Sequence, residues 1–101
     1  MASDISYHPL FDCDVREAIG WYERRKVGLG NEFREQIRQS VATVIANPER
    51  FGRAASGFRY IRLPRFPYVV LFDLDEGRLV FLGVLHTARS IAKWRKGRFE
   101  S

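Results

Sequence analysis

The stretch YVVLFDLDEGRLVFLGVLH, residues 68–86, decides the fold, because it contains two apolar runs on either side of a short polar turn. In residues 68–74 and 79–86 both alternating positions are largely apolar, which is typical of strands that are buried on two faces. The turn DEGR at 75–78 contains a glycine and predicts a tight β-hairpin. We therefore expect two central antiparallel strands, with one face covered by the rest of the chain.

Two further strands are predicted outside this hairpin. Residues 58–63 form a strand-like run, and PRFP at 64–67 turns it towards the next strand. Both alternations of 58–63 mix apolar residues with arginine, so the sequence leaves open which side chains face the core. Near the start of the chain, ISYH at 5–8 alternates as a strand does, and Pro9 ends it.

Two helices are predicted between the first strand and a loop at 49–57. The first begins near Asp14, whose spacing to Glu17 resembles a capping box. GLG at 28–30 breaks that helix, and the second runs from about 31 to 46, where Asn47-Pro48 stops it. Their apolar faces recur at helical spacing: Val15, Ala18, Ile19 and Tyr22 on the first, and Phe33, Ile37, Val41, Val44 and Ile45 on the second. So short a connection predicts an antiparallel helical hairpin.

The element order is therefore β-α-α-β-β-β. It indicates an α+β fold in which the helical hairpin packs on one face of a mostly antiparallel sheet. A chain of 101 residues has room for a single core, so residues 1–101 are expected to form one domain. Residues 87–101 are short, basic and aromatic, and predict either a short helix or a flexible basic tail.

Charge is distributed unevenly along the chain, which carries a formal net charge of +5. Residues 1–50 hold seven basic and eight acidic side chains, whereas residues 51–101 hold ten basic and four acidic ones. This asymmetry favours a surface that meets a polyanion or an acidic protein. An arginine-rich but ordinary solvated surface is the alternative.

Several classes are disfavoured by the composition. The single cysteine, Cys13, rules out an internal disulfide framework and a cysteine-rich zinc site. No signal-peptide pattern and no apolar run long enough for a bilayer is present, so a reduced, cytoplasmic domain without membrane association is expected. Walker loops, nucleotide-binding glycine patterns and Ser-His-Asp arrangements are also missing, and we expect no cofactor and no metal.

Four sequence pieces resemble the RelE/ParE superfamily of bacterial type II toxin–antitoxin toxins, within it the ParE-like (plasmid stabilisation) branch. They are DVREA at 14–18 leading into WYE at 21–23, GLG at 28–30 followed by Phe33, RYIRLPR at 59–65 leading into FPYVV, and VLHTAR at 84–89. The pieces follow in the family's order and spacing, over residues 5 to 95. The family's fold is the one predicted above from periodicity.

The resemblance implies a small cytoplasmic toxin that a cognate antitoxin holds inactive. Family antitoxins wrap a flexible segment along the helical hairpin and the sheet, so a hetero-oligomer is implied. The targets differ within the family, since RelE-like members cleave messenger RNA in the ribosome and ParE-like members poison DNA gyrase. The basic half of this chain offers a counter-surface for an acidic antitoxin.

The residues that the RelE-like chemistry needs are only partly present. Metal-independent RNA cleavage requires groups that move protons and cations that stabilise the developing phosphorane charge. By resemblance, Arg62 and Arg89 match basic positions of the family. Val69, however, stands where the family has an arginine on the third strand, and no phenol is available near Trp94 to replace the family's C-terminal tyrosine. This pattern disfavours RelE-type cleavage. A toxin without enzymatic activity is favoured, and a metal-independent mRNA endoribonuclease stays open as the alternative.

The candidate site residues form two sets. No catalytic residue is assigned, and the weak candidates are Arg62, His86 and Arg89. His86 titrates near neutrality, but a structural hydrogen bond at the end of its strand is the favoured interpretation. The candidates for binding a target or an antitoxin are Arg59, Arg62, Arg65, Arg89, Lys93, Trp94 and Arg95. Their guanidinium groups suit either phosphate or carboxylate partners, so direct nucleic-acid binding stays open.

Two further residues have local interpretations. Cys13 lies beside a helix start, which predicts a lowered thiol pKa, although a small buried or incidental thiol is the favoured interpretation. His8 has no nearby set of ligands, which makes metal binding improbable.

Three functions stay in consideration. The first is a ParE-like toxin that binds a protein target, DNA gyrase, and is neutralised by its antitoxin. The second is a ribosome-dependent mRNA endonuclease built on Arg62, His86 and Arg89. The third is an inactive relative that keeps antitoxin binding only.

Overall fold

The computed structural model describes residues 4–54 and 56–99 of the chain. Strand β1 (Asp4–Tyr7) is followed by helix α1 (Phe11–Arg25), helix α2 (Leu29–Ala46) and a short 3-10 turn at Pro48–Arg50. Strands β2 (Arg59–Arg62), β3 (Tyr68–Asp75) and β4 (Arg78–His86) come next, and helix α3 (Ile91–Phe99) ends the described part. The predicted α+β class and the β-α-α-β-β-β order are confirmed, with α3 added.

The sheet has the strand order β1-β4-β3-β2, so the predicted hairpin of β3 and β4 lies at its centre. β1 pairs with β4 in parallel, and the other two pairings are antiparallel, as a mostly antiparallel sheet requires. Glu76 and Gly77 both have positive φ in the turn between β3 and β4, which fits a tight hairpin.

Two hydrophobic cores lie on opposite faces of this sheet. The helical hairpin covers one face, where Phe33, Val70, Phe72 and Phe81 are fully or almost fully buried. Helix α3 covers part of the other face and buries Trp94 against the side chains of Val69, Leu71, Leu82 and Leu85. The second face is therefore partly covered by α3 and is not fully open to solvent. No helix within the described residues is long and apolar enough to span a membrane.

The start of α1 also differs from the prediction. The helix begins at Phe11 with Leu10 as its N-cap and without a side-chain capping bond, so the expected capping box of Asp14 and Glu17 is wrong. Asp14 lies inside the helix and uses its carboxylate for contacts to distant residues, which are described below.

Helix α2 begins at Leu29, two residues earlier than predicted, because the connection is very short. Gly28 takes a φ of 92° that favours glycine, and the Glu23 carboxylate accepts hydrogen bonds from the N–H groups of Gly28 and Gly30. A Cβ at Gly30 would lie 2.7 Å from the carbonyl oxygen of Ile19, so glycine lets the two helices approach closely.

Candidate functional site

An ion pair between α1 and α3 closes the outer edge of β4 where β1 ends. Asp14 Oδ1 accepts a hydrogen bond from Arg98 Nη2 at 2.8 Å, and Asp14 Oδ2 accepts one from the backbone N–H of Val84 at 3.0 Å. Arg98 Nη1 also donates to the carbonyl of Leu82 at 3.2 Å. Both side chains are largely buried, at 16% exposure for Asp14 and 9% for Arg98. This pair satisfies β4 backbone groups that a neighbouring strand would otherwise satisfy.

A groove of about 360 Å³ lies beside that pair, between α1 and the ends of β3 and β4. We call it the helix-side groove. The side chains that define it are Glu17, Trp21, Tyr22, Tyr68, His86 and Arg89, with Ala18, Val84 and Asp14 completing its walls. Polar groups from three elements therefore meet in one concave surface, as at many binding sites.

The two tyrosines of the helix-side groove are kept neutral at ordinary pH. Burial raises the pKa of the Tyr22 hydroxyl above its usual value. Burial, and after it the nearby Tyr22, also raise the pKa of Tyr68, while the positive charge of Arg89 lowers it. Both hydroxyls, which tyrosine keeps protonated at neutral pH in any case, can donate hydrogen bonds.

A second groove, of about 310 Å³, lies on the other side of His86, and we call it the arginine groove. It brings together the three weak catalytic candidates, Arg62, His86 and Arg89, beside the Tyr60 side chain. His86 Nδ1 accepts a hydrogen bond from the Ala88 N–H at 3.0 Å. This is the kind of structural contact that was favoured for His86, and it leaves Nε2 as the protonated nitrogen of the neutral ring.

Arg89 lies at the junction of these surfaces. It lines the helix-side groove, the arginine groove and a third groove that also contains Lys93. No residue in the described ranges forms an ion pair or a side-chain hydrogen bond with its guanidinium. Arg89 therefore presents an unpaired guanidinium to any partner that reaches this end of the sheet.

Three of the predicted binding arginines are engaged elsewhere. The Arg59 guanidinium donates to the carbonyl oxygens of Phe51 and Glu49 and so holds the loop before β2. Arg65 forms an ion pair of 3.3 Å with Glu32 on α2. Arg95 donates to the Ser56 carbonyl at 2.8 Å, and its guanidinium lies over the ring of Phe58. The structure thus groups Arg62, Arg89 and Lys93 in adjoining grooves. Arg59, Arg65 and Arg95 lie outside the walls of those grooves.

Trp94 requires a correction as a candidate binding residue. Its side chain is 9% exposed and packs in the second core, so it is not available to stack on a base or a partner. A Cβ at Gly83 would lie 2.6 Å from Trp94 Cζ2, which shows how closely α3 sits on β4.

Cys13 is exposed, and its thiol donates to Glu17 Oε1 at 3.7 Å. The negative charge of Glu17 is the main reason that the pKa of Cys13 is raised, so the predicted lowering by the helix start is wrong. Of the favoured interpretation, a buried or incidental thiol, the exposure of Cys13 contradicts the buried alternative and leaves the incidental one.

His8 accepts a hydrogen bond from the Leu10 N–H through Nδ1. Burial, followed by repulsion from Arg98, lowers the pKa of His8. Among the described residues no group of three or more His, Cys, Asp or Glu side chains is arranged to hold a metal ion.

Comparison with known proteins places these features in a family context. Residues 5–91 match the family model described as the ParE toxin of the type II toxin–antitoxin system, parDE. A solved chain titled "Chromosomal ParDE TA system from P. aeruginosa" superposes with a TM-score of 0.72 at 15% sequence identity, and the match covers 82% of this chain and 94% of that one. At that identity the likeness concerns the fold. No curated protein matches the sequence.

Proposed function

The chain belongs to the ParE toxin family of type II toxin–antitoxin systems, and on that premise we propose that it inhibits bacterial growth by binding DNA gyrase. A cognate antitoxin neutralises it in the cytoplasm. The proposal treats the protein as a binding toxin rather than an enzyme, and the sheet face covered by α3 is the observation that carries this choice.

RelE-like chemistry uses cations on the central strands, and this chain has apolar side chains there. Val69, at the position of the family's third-strand arginine, is 6% exposed and packs in the second core. Trp94, in the region of the family's C-terminal tyrosine, packs in the same core. At these two positions a substrate phosphate would therefore meet apolar side chains instead of the groups that phosphorane stabilisation and proton transfer need.

The cations that remain accessible lie at the ends of the strands. Arg62, Arg89 and Lys93 line adjoining grooves and are exposed. Such a cluster speeds association with an acidic protein surface and fixes its orientation, without requiring any bond to be broken. These three residues are the proposed contact for the target.

The experiment is induction of the chain, without antitoxin, in a bacterium whose DNA damage response and protein synthesis are followed together. We expect an SOS response and double-strand breaks while translation initially continues, and we expect purified protein to inhibit gyrase supercoiling in vitro. Arg62→Gln and Arg89→Gln should each weaken the inhibition by roughly tenfold, because each removes one charged contact. Arg16→Gln is the matched control, since Arg16 is exposed on α1 and pairs with Asp12. Supercoiling unaffected by the wild-type protein would refute the proposed target.

A second candidate function, mRNA cleavage in the ribosome, is favoured by one observation. Arg62, His86 and Arg89 line the same groove, so a base and two cations meet there. This alternative predicts immediate loss of protein synthesis and shortened transcripts, both abolished by His86→Ala. Unchanged growth after induction would instead indicate an inactive relative that retains antitoxin binding only.

A further inference from the structure

We propose that the helix-side groove is a carboxylate-binding site that receives an Asp or Glu side chain of the antitoxin. This inference rests on the proposed function, because it assumes an antitoxin partner, and it names the chemistry by which that partner is held. The donors are the Tyr22 hydroxyl, the Tyr68 hydroxyl and the Arg89 guanidinium.

These donors have no hydrogen-bond partner in the part of the chain that the structure describes. In residues 4–54 and 56–99 nothing hydrogen-bonds to the Tyr22 or Tyr68 hydroxyl, or to the Arg89 guanidinium. Tyr22 is only 9% exposed, and it packs its ring against Phe33 and Phe66 while its side chain lines the groove. The Tyr22 hydroxyl oxygen is not among the buried unpartnered atoms of these ranges, so it opens to the groove and is available to donate a hydrogen bond to a ligand there.

The three donors line one groove, since the side chains of Tyr22, Tyr68 and Arg89 all belong to its walls. The Tyr22 and Tyr68 ring centroids are 6.1 Å apart. Two neutral O–H donors beside a guanidinium fork match the two oxygens of a carboxylate.

The charges that line the groove favour a singly charged ligand over a dianion. Arg89 contributes one positive charge to the groove, and Glu17 contributes one negative charge, while Asp14 is neutralised by Arg98. Glu17 repels either anion, but it repels a dianionic phosphate about twice as strongly as a singly charged carboxylate, and the single charge of Arg89 balances only the carboxylate. Ala18, Val84 and Trp21 supply an apolar wall for the methylene groups that carry such a carboxylate.

The occupant is therefore an acidic side chain on a polypeptide, and the net charge of +5 favours an acidic polypeptide over a basic one. An antitoxin that lies along α1 would pass directly over this groove.

The test is the affinity of the purified chain for its antitoxin, measured by titration calorimetry for the wild type and for three variants. Tyr22→Phe and Tyr68→Phe each remove one hydroxyl and keep the ring. Each should weaken binding roughly tenfold to hundredfold, because a hydrogen bond to a charged group is lost. Tyr7→Phe is the matched control, since Tyr7 is exposed on β1 away from the groove, and it should leave the affinity unchanged.

A second measurement identifies the carboxylate. Each Asp and Glu of the antitoxin is changed to Asn or Gln in turn, and one of these changes should cause the same loss of affinity as Tyr22→Phe. Combined with Tyr22→Phe, that change should add little further loss, as a double-mutant cycle requires of residues in contact. Thermal unfolding of each variant separates a loss of contact from a loss of folding.

The outcomes separate this inference from the proposed function. If wild-type protein binds no antitoxin, the proposed function itself fails. If the wild type binds and both Tyr→Phe variants bind equally well, the antitoxin stands but the carboxylate site is refuted. If every Asp→Asn or Glu→Gln change in the antitoxin lowers the affinity by the same factor for the wild type and for Tyr22→Phe, a carboxylate contact at this groove is also refuted.

Discussion

Asp14→Ala should destabilise the protein strongly, because Asp14 is one half of a largely buried ion pair. Its carboxylate accepts hydrogen bonds from Arg98 Nη1 at 3.1 Å, from Arg98 Nη2 at 2.8 Å and from the Val84 N–H at 3.0 Å. The substitution leaves the Arg98 guanidinium, on a side chain 9% exposed, without its counter-charge, and leaves the Val84 N–H unpaired.

The expected loss follows from these contacts. Removing one partner of a buried pair costs roughly 3–5 kcal/mol. Because Asp14 is 16% exposed, we take the lower end, about 3 kcal/mol. For a domain of this size that loss lowers the melting temperature by roughly 12–24 °C.

The assay is equilibrium urea unfolding followed by far-UV circular dichroism, with the free energy of unfolding obtained by linear extrapolation. Asp12→Ala is the matched control, because Asp12 lies in the same helix but its pair with Arg16 is 68–77% exposed. That control should lose less than about 1 kcal/mol. Equal losses for Asp12→Ala and Asp14→Ala would refute the assignment of the Asp14–Arg98 pair as the contact that holds α3 at the β4 edge.

Three other substitutions test separate parts of the structure. Gly83→Ala should lower the free energy of unfolding by roughly 1–3 kcal/mol, because the new Cβ would lie 2.6 Å from Trp94 Cζ2 and α3 would have to move. Tryptophan fluorescence reports that movement, and an unchanged emission spectrum would contradict it. Glu17→Gln should lower the pKa of Cys13, because it removes the negative charge that disfavours the thiolate. The rate of reaction with a disulfide reagent at pH 8 should then rise, and an unchanged rate would show that Glu17 is not the cause. Val69→Arg introduces the third-strand cation of the RelE-like pattern that this chain lacks. It should unfold or strongly destabilise the protein, because the site is buried and apolar. A variant that is stable in urea unfolding would mean that α3 leaves this face readily.

The central hairpin could be predicted because its signal is local and redundant. Apolar residues at both alternations, and a glycine in the turn, indicate buried strands wherever the rest of the chain packs. The start of α1 could not be predicted in the same way, because Asp14 and Glu17 have the spacing of a capping box although Leu10 is the N-cap. The true partner of Asp14 is Arg98, 84 positions away, and no local pattern indicates a contact of that separation.

The packing of α3 on the second face of the sheet could not be predicted for a related reason. Helix α3 has no continuous apolar stripe, and its buried residue is Trp94, which in the sequence stands among basic residues. An aromatic residue among arginines and lysines resembles a nucleic-acid contact until the strands beneath it are known. Gly83 in the middle of an apolar strand was the available signal, since a glycine there permits close approach by another element.

The helix-side groove likewise required the fold. Tyr22 lies on the first helix and Tyr68 at the start of β3, and each was predicted as a core residue or as part of a family motif. Their rings do pack in the first core or against it. Only the packing of α1 on the sheet shows that their hydroxyls lie in a groove with Arg89.

The position of Arg89 connects the two proposals. It lines the groove proposed for the antitoxin carboxylate and also the groove proposed for the target. An antitoxin carboxylate bound by Arg89 in the helix-side groove neutralises the positive charge that the target would otherwise meet. The same contact holds the Arg89 guanidinium in the helix-side groove, so that it is no longer available in the arginine groove. It follows that antitoxin and target should compete for the protein even where their contact areas do not overlap. Competition should then weaken with Arg89→Gln more than with Arg62→Gln, because Arg62 lines only one of these two grooves.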